Sequence, residues 1–116
     1  MQKVMSYIKS GIDEGAKIIS GGSQITEGNL KNGNFIQPTI FSDVKDNMKI
    51  AREEIFGPVL TVFVYEDDRM EETLESLDTV SPYALTGAIF AKDRYVINYL
   101  ERKLVNAAGN FYINDK

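Results

Sequence analysis

The sequence contains no cysteine and no histidine. Without these residues, disulfide bonds, zinc fingers, Ser-His and Cys-His nucleophilic systems and transition-metal sites with thiolate or imidazole ligands are excluded. Chemistry within these 116 residues is therefore restricted to carboxylate, lysine, tyrosine and hydroxyl groups, or to binding that supports reactive groups from elsewhere. We accordingly predict no metal site with thiolate or imidazole ligands in this chain.

Long apolar runs and clusters of basic residues are also missing. No segment approaches the roughly 20 apolar residues that span a bilayer. The 13 Lys and Arg residues are scattered among 17 Asp and Glu, with a net charge of −4. Because nucleic-acid binding needs clustered cations, we predict neither a membrane anchor nor a nucleic-acid partner. A hydrophobic fraction of 43% and a charged fraction of 26% are typical of a globular domain.

Residues 1–33 predict a helix, a short strand and a loop. The helix covers residues 1–15 and ends near Gly15, and the strand covers 16–20. An extended segment at 35–41 contains Pro38, which favours an edge strand or an irregular piece because proline lacks a backbone N–H. The side chains at helical spacing in the first helix are Val4, Met5, Ile8 and Ile12.

Residues 34–116 carry a β-α-β-α-β pattern. Strands are predicted at 59–65, 84–90 and 110–114, and a first helix at 71–77. Asp93 is placed to cap a second helix. Apolar strands separated by helices are typical of a parallel sheet covered by helices. We therefore predict an α/β fold with a mostly parallel sheet. The apolar residues that share one face of the second helix are Val96, Ile97, Leu100 and Leu104.

The run Glu-Glu-Ile-Phe-Gly-Pro at 53–58 precedes the strongest predicted strand. Adjacent glutamates are usually solvated, and Phe followed by Gly-Pro is usually a packed turn. A carboxylate two residues from an aromatic ring also suits a sugar diol beside a flat heterocycle. The motif by itself does not distinguish a nucleotide from a carbohydrate.

Four motifs in order resemble the aldehyde dehydrogenase superfamily: 34–40, 53–58, 85–90 and 109–114. The resemblance covers essentially the whole chain, least clearly its first fifteen residues. The segment 106–116 is most similar to the L-glutamate-γ-semialdehyde dehydrogenases, also called Δ1-pyrroline-5-carboxylate dehydrogenases. The stretch 81–85 is also close to that branch, with Ala84 in place of a common glycine.

This resemblance implies a partial catalytic domain, the C-terminal part, of an NAD-dependent enzyme. Glu54 matches the carboxylate that holds the nicotinamide ribose hydroxyls, and Phe56 matches the aromatic beside that ribose and the nicotinamide. The implied reaction oxidises a small aldehyde, L-glutamate γ-semialdehyde, to L-glutamate in proline catabolism. The nucleophilic cysteine of the family is absent, so the resemblance implies no catalytic residue here, and this chain alone is expected to be inactive. We expect weak or no NAD binding by it, because it has no Gly-rich phosphate loop.

The resemblance also implies a homo-oligomer, located in the cytoplasm of a bacterium or the mitochondrial matrix of a eukaryote, with the cytoplasm preferred. Fragments of larger sheets expose strand edges and apolar surface, which favours association. Two alternatives stay open: a non-catalytic α/β binding module that retains the scaffold, and a fragment of another branch of the superfamily.

Four acids and the last strand have simpler interpretations than ligand binding. Acidic side chains near the start of a helix favour its positive end over a cation site. Aromatic residues on a terminal strand are usually core or interface residues, and Asn114 is placed to tie the strand end to a neighbouring loop. The acids are Asp67, Asp68, Glu71 and Glu72, and the aromatics are Phe111 and Tyr112.

Overall fold

The computed structural model describes residues 1–115, so Lys116, which ends the 106–116 segment, lies outside the described residues. The α/β class predicted from the sequence is confirmed. The chain divides into two units, Met1–Val64 and Tyr65–Lys116. The division after residue 33 stays a prediction.

The helices are α1 (Gln2–Asp13), α2 (Lys49–Arg52), α3 (Met70–Thr79) and α4 (Arg94–Lys103), and the strands are β1 (Lys17–Ser20), β2 (Thr39–Ser42), β3 (Val59–Thr61), β4 (Thr86–Ile89) and β5 (Asn110–Ile113).

In the first unit, the described strands form a three-stranded sheet in the order β1-β2-β3. β2 pairs antiparallel with β1 and parallel with β3. It is therefore the central strand, which corrects the first predicted alternative, an edge strand, whereas the backbone around Pro38 agrees with the second, an irregular extended piece. The reason is the position of Pro38, which lies just before β2 in irregular backbone and removes no N–H from the ladder.

Helix α1 packs on this sheet with a face that agrees with the predicted one at Val4 and Ile8 but not at its other two residues. Its buried residues are Val4, Tyr7, Ile8 and Gly11, whereas Ile12 is exposed and Met5 is only partly buried. A Cβ on Gly11 would lie 2.9 Å from the Ile50 side chain and 3.1 Å from the Phe41 ring. Glycine therefore allows the helix to approach these two buried residues closely. The periodicity of apolar residues did not reveal Gly11 on this face, because glycine has no side chain to count.

The end of α1 near Gly15 is confirmed. Gly15 has a φ of +97°. Its N–H donates to Ile12 O at 3.0 Å, and the Ala16 N–H donates to Gly11 O at 2.9 Å. Together these bonds form a Schellman motif, in which glycine takes the left-handed conformation at low cost.

The four-residue helix α2 was not predicted from the sequence. Its first N–H, that of Lys49, donates to Glu14 Oε2 at 2.7 Å. A carboxylate at the end of α1 thus caps a helix 35 residues later. The same carboxyl group accepts a hydrogen bond from Ser10 Oγ. These two bonds, the Ser10 bond first, lower the pKa of Glu14 from its ordinary value of 4.5.

In the second unit, β4 and β5 pair in parallel with Thr86 opposite Asn110. The predicted order of elements β3-α3-β4-α4-β5 is confirmed, and two of the three described strand pairs are parallel. The difference from the prediction is that the described strands belong to two sheets, because β3 bonds to β2 and β4 bonds to β5. β3 is also shorter than the predicted 59–65.

The two helices of the second unit begin where the sequence places them. Asp93 caps α4, and its Oδ1 accepts hydrogen bonds from Tyr95 N at 2.7 Å and Val96 N at 3.3 Å. Glu71 and Glu72 lie in the first turn of α3, as the interpretation of these acids requires. Glu71 also forms a salt bridge with Lys103, with 2.9 Å between Glu71 Oε2 and Lys103 Nζ, which links α3 to α4.

The predicted role of Asn114 as a tie at the strand end is confirmed. Its side-chain Oδ1 accepts from Ala91 N at 2.9 Å, and its Nδ2 donates to Ala91 O at 3.0 Å. The Asn114 backbone N–H donates to Ile89 O at 2.7 Å. Asn114 has a φ of 55°, a conformation that asparagine tolerates better than most residues.

We predict that Glu14→Gln removes part of the pH dependence of stability. A lowered folded-state pKa contributes stability above the unfolded value, which is lost as the pH falls below about 4.5 toward the folded pKa. Glu14 is exposed, so the loss at pH 7 is roughly 0.5 kcal/mol. Urea unfolding at pH 7 and pH 3 measures it, and the variant should differ from wild type only at pH 7. Glu27→Gln is the control, since Glu27 accepts no hydrogen bond from another residue within 1–115. An equal effect of both variants would contradict the capping role.

We also predict that Asn114→Ala destabilises the chain by about 2 kcal/mol and Asn114→Gly by about 1 kcal/mol. Both variants lose the hydrogen bonds to Ala91, but glycine keeps access to positive φ. Urea denaturation monitored by circular dichroism compares the two. Equal destabilisation by alanine and glycine would show that the positive φ at this position imposes no strain on alanine.

Candidate cofactor-contact site

The segment 53–58 connects α2 to β3. Glu53 has extended backbone angles, φ −118° and ψ 143°. Extended chain directs successive side chains to opposite sides, but exposure does not alternate here, because every residue of 53–58 except Ile55 is exposed. Ile55 is partly buried and packs against the core, whereas Glu54 and Phe56 are exposed, Phe56 by 78%. Both residues that the resemblance assigns to the cofactor therefore lie on the surface of one short segment.

Close packing and backbone hydrogen bonds anchor the second half of this segment. A Cβ on Gly57 would lie 2.7 Å from a methyl group of Val4 in α1, so only glycine fits here without a shift. The Gly57 N–H donates to Ile55 O at 2.8 Å, and the Val59 N–H donates to Gly57 O at 2.8 Å. Pro58 is the central residue of the second of these tight turns, and its carbonyl oxygen accepts a hydrogen bond from Thr39 N at 2.8 Å. Gly57 and Pro58 thus shape the turn.

A tyrosine of α1 anchors the first half of the segment. The Tyr7 hydroxyl donates to Glu53 Oε2 at 2.7 Å, although the two residues are 46 positions apart. Tyr7 is 6% exposed. The Lys49 ammonium lies 5.0 Å from the centroid of the Tyr7 ring, in the range of a cation–π contact. The two adjacent glutamates therefore have different environments.

Glu54 has no hydrogen bond or salt bridge to another residue in the described part of the chain. Both of its carboxylate oxygens are available as acceptors, and a vicinal diol supplies two hydroxyl donors. The exposed Phe56 ring, two residues away, offers an apolar face to a flat ring. The arrangement suits a ligand that combines a diol with a heterocycle.

Sequence reasoning missed Tyr7, Lys49 and Glu53 as contributors to this site. The signal for Tyr7 was present, because it lies three residues after Val4 and four before Gly11 on the buried face of α1. No local pattern linked it to Glu53. The contact depends on how α1 packs against α2, which periodicity does not describe.

Other kinds of site were considered in the sequence, namely a cation site, a membrane span and ligand contacts on the last strand. Within residues 1–115 no group of three or more acidic side chains is arranged to hold a metal ion. No helix in that range combines the length and apolar character needed to cross a bilayer. On β5, Phe111 is partly buried and pairs with Gly87 of β4, where a Cβ would lie 3.0 Å from the Phe111 ring, which agrees with a packing role.

The sequence of this chain is similar to known proteins along its whole length. The family model described as "Aldehyde dehydrogenase family" matches residues 1–116. A mitochondrial delta-1-pyrroline-5-carboxylate dehydrogenase from Dictyostelium discoideum is 48% identical over 116 residues, which are 100% of this chain and 20% of that protein. The protein of the same name from Danio rerio is 51% identical over 100 residues, covering 86% of this chain and 17% of that protein. This chain therefore spans about a fifth of the length of these curated relatives.

Solved structures agree with the sequence relatives. The Mycobacterium tuberculosis aldehyde dehydrogenase, a crystal structure complexed with NAD+, superposes with a TM-score of 0.85 at 36% identity. The match covers 99% of this chain and 22% of that one. The family model, the relatives and the shared fold all lead to one assignment: the chain belongs to the aldehyde dehydrogenase family.

Proposed function

We propose that this chain is part of an NAD-dependent aldehyde dehydrogenase, and that Glu54 and Phe56 contact the nicotinamide riboside portion of NAD. The observation that carries the proposal is the exposure of both side chains on a segment whose other residues are anchored. A strongly exposed phenylalanine beside an unpaired carboxylate is a poor choice for stability. It is a good choice for a ligand with a ribose and a flat ring.

The residues present fit this part of the cofactor. The Glu54 carboxylate has the acceptors for the two ribose hydroxyls, and the Phe56 ring has the area to pack beside the ribose and the nicotinamide. No Gly-rich phosphate loop occurs in the sequence, so the pyrophosphate must be held by other residues. The structure similar to this chain that was solved with NAD+ supports the choice of cofactor.

NAD, when bound, supplies the acceptor for the hydride that leaves the substrate. The residues of this chain contribute position. Glu54 fixes the ribose, and Phe56 limits the movement of the ring attached to it. Small displacements of a reacting group can cost large factors in rate, so residues that only orient the ring still affect turnover. The nucleophilic cysteine of the family is not among these residues, and they are inactive by themselves.

We propose L-glutamate γ-semialdehyde as the substrate and L-glutamate as the product. Support comes from the relatives named delta-1-pyrroline-5-carboxylate dehydrogenase, 48% and 51% identical to this chain.

We also propose that the whole protein is a homo-oligomer, located in the cytoplasm of a bacterium or in mitochondria of a eukaryote. Exposed apolar side chains support association with further protein surface. In the first unit they include Ile19, Leu60 and Val64, and in the second Leu85, Phe90 and Val105.

We expect Glu54→Gln in the complete protein encoded by the gene to weaken NAD binding by about tenfold, because a charge-assisted hydrogen bond contributes about 1.5 kcal/mol more than it costs. Isothermal titration calorimetry measures the dissociation constant. Glu27→Gln, in the loop after β1, is the control for loss of one surface charge and should have no effect. Unchanged NAD affinity in Glu54→Gln would refute the assignment of the ribose to this carboxylate.

The substrate is tested separately with purified complete protein and saturating NAD. We expect kcat/KM for L-glutamate γ-semialdehyde to exceed that for propionaldehyde by at least about a hundredfold, because unpaired polar groups in a specific site reject simpler analogues. Absorbance of NADH gives both rates. Comparable values for the two aldehydes would assign the protein to another branch of the family.

A further inference from the structure

Helix α1 holds α2 at both of its ends. At the start of α2, the Lys49 N–H donates to Glu14 Oε2 at 2.7 Å. Just after its end, Glu53 Oε2 accepts from the Tyr7 hydroxyl at 2.7 Å. In between, Ile50 packs into the same buried cluster as Ile8 of α1. The position of the segment 53–58 is therefore set from α1, a distant part of the sequence.

The contact between Tyr7 and Glu53 is a strong local restraint. A hydroxyl that donates to a carboxylate forms a charge-assisted bond, which is shorter and stronger than a neutral one. Tyr7 is almost fully buried, so its ring has little freedom to follow a moving partner. Lys49 over the ring adds a second contact to the same side chain. The Glu53 carboxylate is thereby held by a side chain that is itself fixed in the core.

Glu53 and Glu54 are adjacent, and either carboxylate has the acceptor atoms to bind a diol, so a further contact must determine which of them does. The Tyr7 bond engages Glu53 and leaves Glu54 available. We propose that Tyr7 and Glu53 are positioning residues for NAD, which determine that Glu54 and Phe56 face the cofactor. The inference rests on the proposed function and deepens it. Neither Tyr7 nor Glu53 is assigned a contact with the cofactor.

The test uses the complete protein and its dissociation constant for NAD, measured by calorimetry well below the unfolding temperature. Tyr7→Phe removes only the hydroxyl and keeps the buried ring. Loss of one hydrogen bond at a restraint predicts an increase of about fivefold in the dissociation constant. Tyr95→Phe is the matched control, because Tyr95 is 87% exposed, and it should bind NAD as wild type does.

Glu53 supplies the second arm of the experiment. Glu53→Ala is expected to weaken NAD binding as Tyr7→Phe does, and the double variant should be no weaker than either single one, since both remove the same bond. Glu53→Gln keeps an acceptor oxygen and should recover most of the affinity. Additive effects of Tyr7→Phe and Glu53→Ala would overturn the proposal.

A purely structural role for Tyr7 is distinguished by the same data. If Tyr7→Phe lowers the unfolding temperature but leaves the dissociation constant for NAD unchanged, Tyr7 stabilises the fold and the proposal is wrong. Glu54→Gln separates this result from failure of the proposed function. Weaker binding in Glu54→Gln with wild-type binding in Tyr7→Phe overturns the positioning role alone, whereas wild-type binding in both overturns both statements.

Discussion

The first unit depends on the close contact between α1 and the buried side chains of Phe41 and Ile50. Phe41 lies on the central strand and has no exposed surface. Gly11 lets the helix backbone reach it, and the Schellman motif at Gly15 then turns the chain into β1. Because protein interiors are close-packed, a helix placed this closely has little freedom to shift. The placement of Tyr7 and Glu14, four residues before Gly11 and three after it, follows from that contact.

The candidate site inherits its geometry from the same helix. Tyr7 and Val4 contact Glu53 and Gly57, which flank the exposed pair. The pair itself makes few contacts with the chain, so its orientation depends on these flanking residues. Binding residues on a connecting segment are effective when a rigid scaffold positions them. The helix is thus part of the site although none of its residues is assigned to the ligand.

Local patterns in the sequence predicted much of this fold, and packing determined what they missed. The end of α1 at Gly15 and the cap at Asp93 follow from single residues with strong conformational preferences. Helix α2 is too short to show a helical period, and its cap, Glu14, comes from 35 residues earlier. The buried face of α1 was misjudged because a tyrosine and a glycine carry half of it. The resemblance at 53–58 assigned Glu54 and Phe56 to the cofactor, which stays a prediction, but the residues that support this pair were not visible in the motif.

The two units also differ in how they are stabilised. The first has a cluster of eight buried residues, whereas the buried hydrophobic side chains described in the second are Ile89 and Leu104. Parallel strands are ordinarily covered on both faces, and two strands alone are marginally stable in water. Polar contacts, among them those of Asn114 with Ala91 and of Glu71 with Lys103, supplement this smaller core. The segment with Glu54 and Phe56 belongs to the unit with the larger core. This location favours the proposed role of the pair in positioning a nicotinamide, because a well-packed scaffold holds the residues on its surface in defined positions.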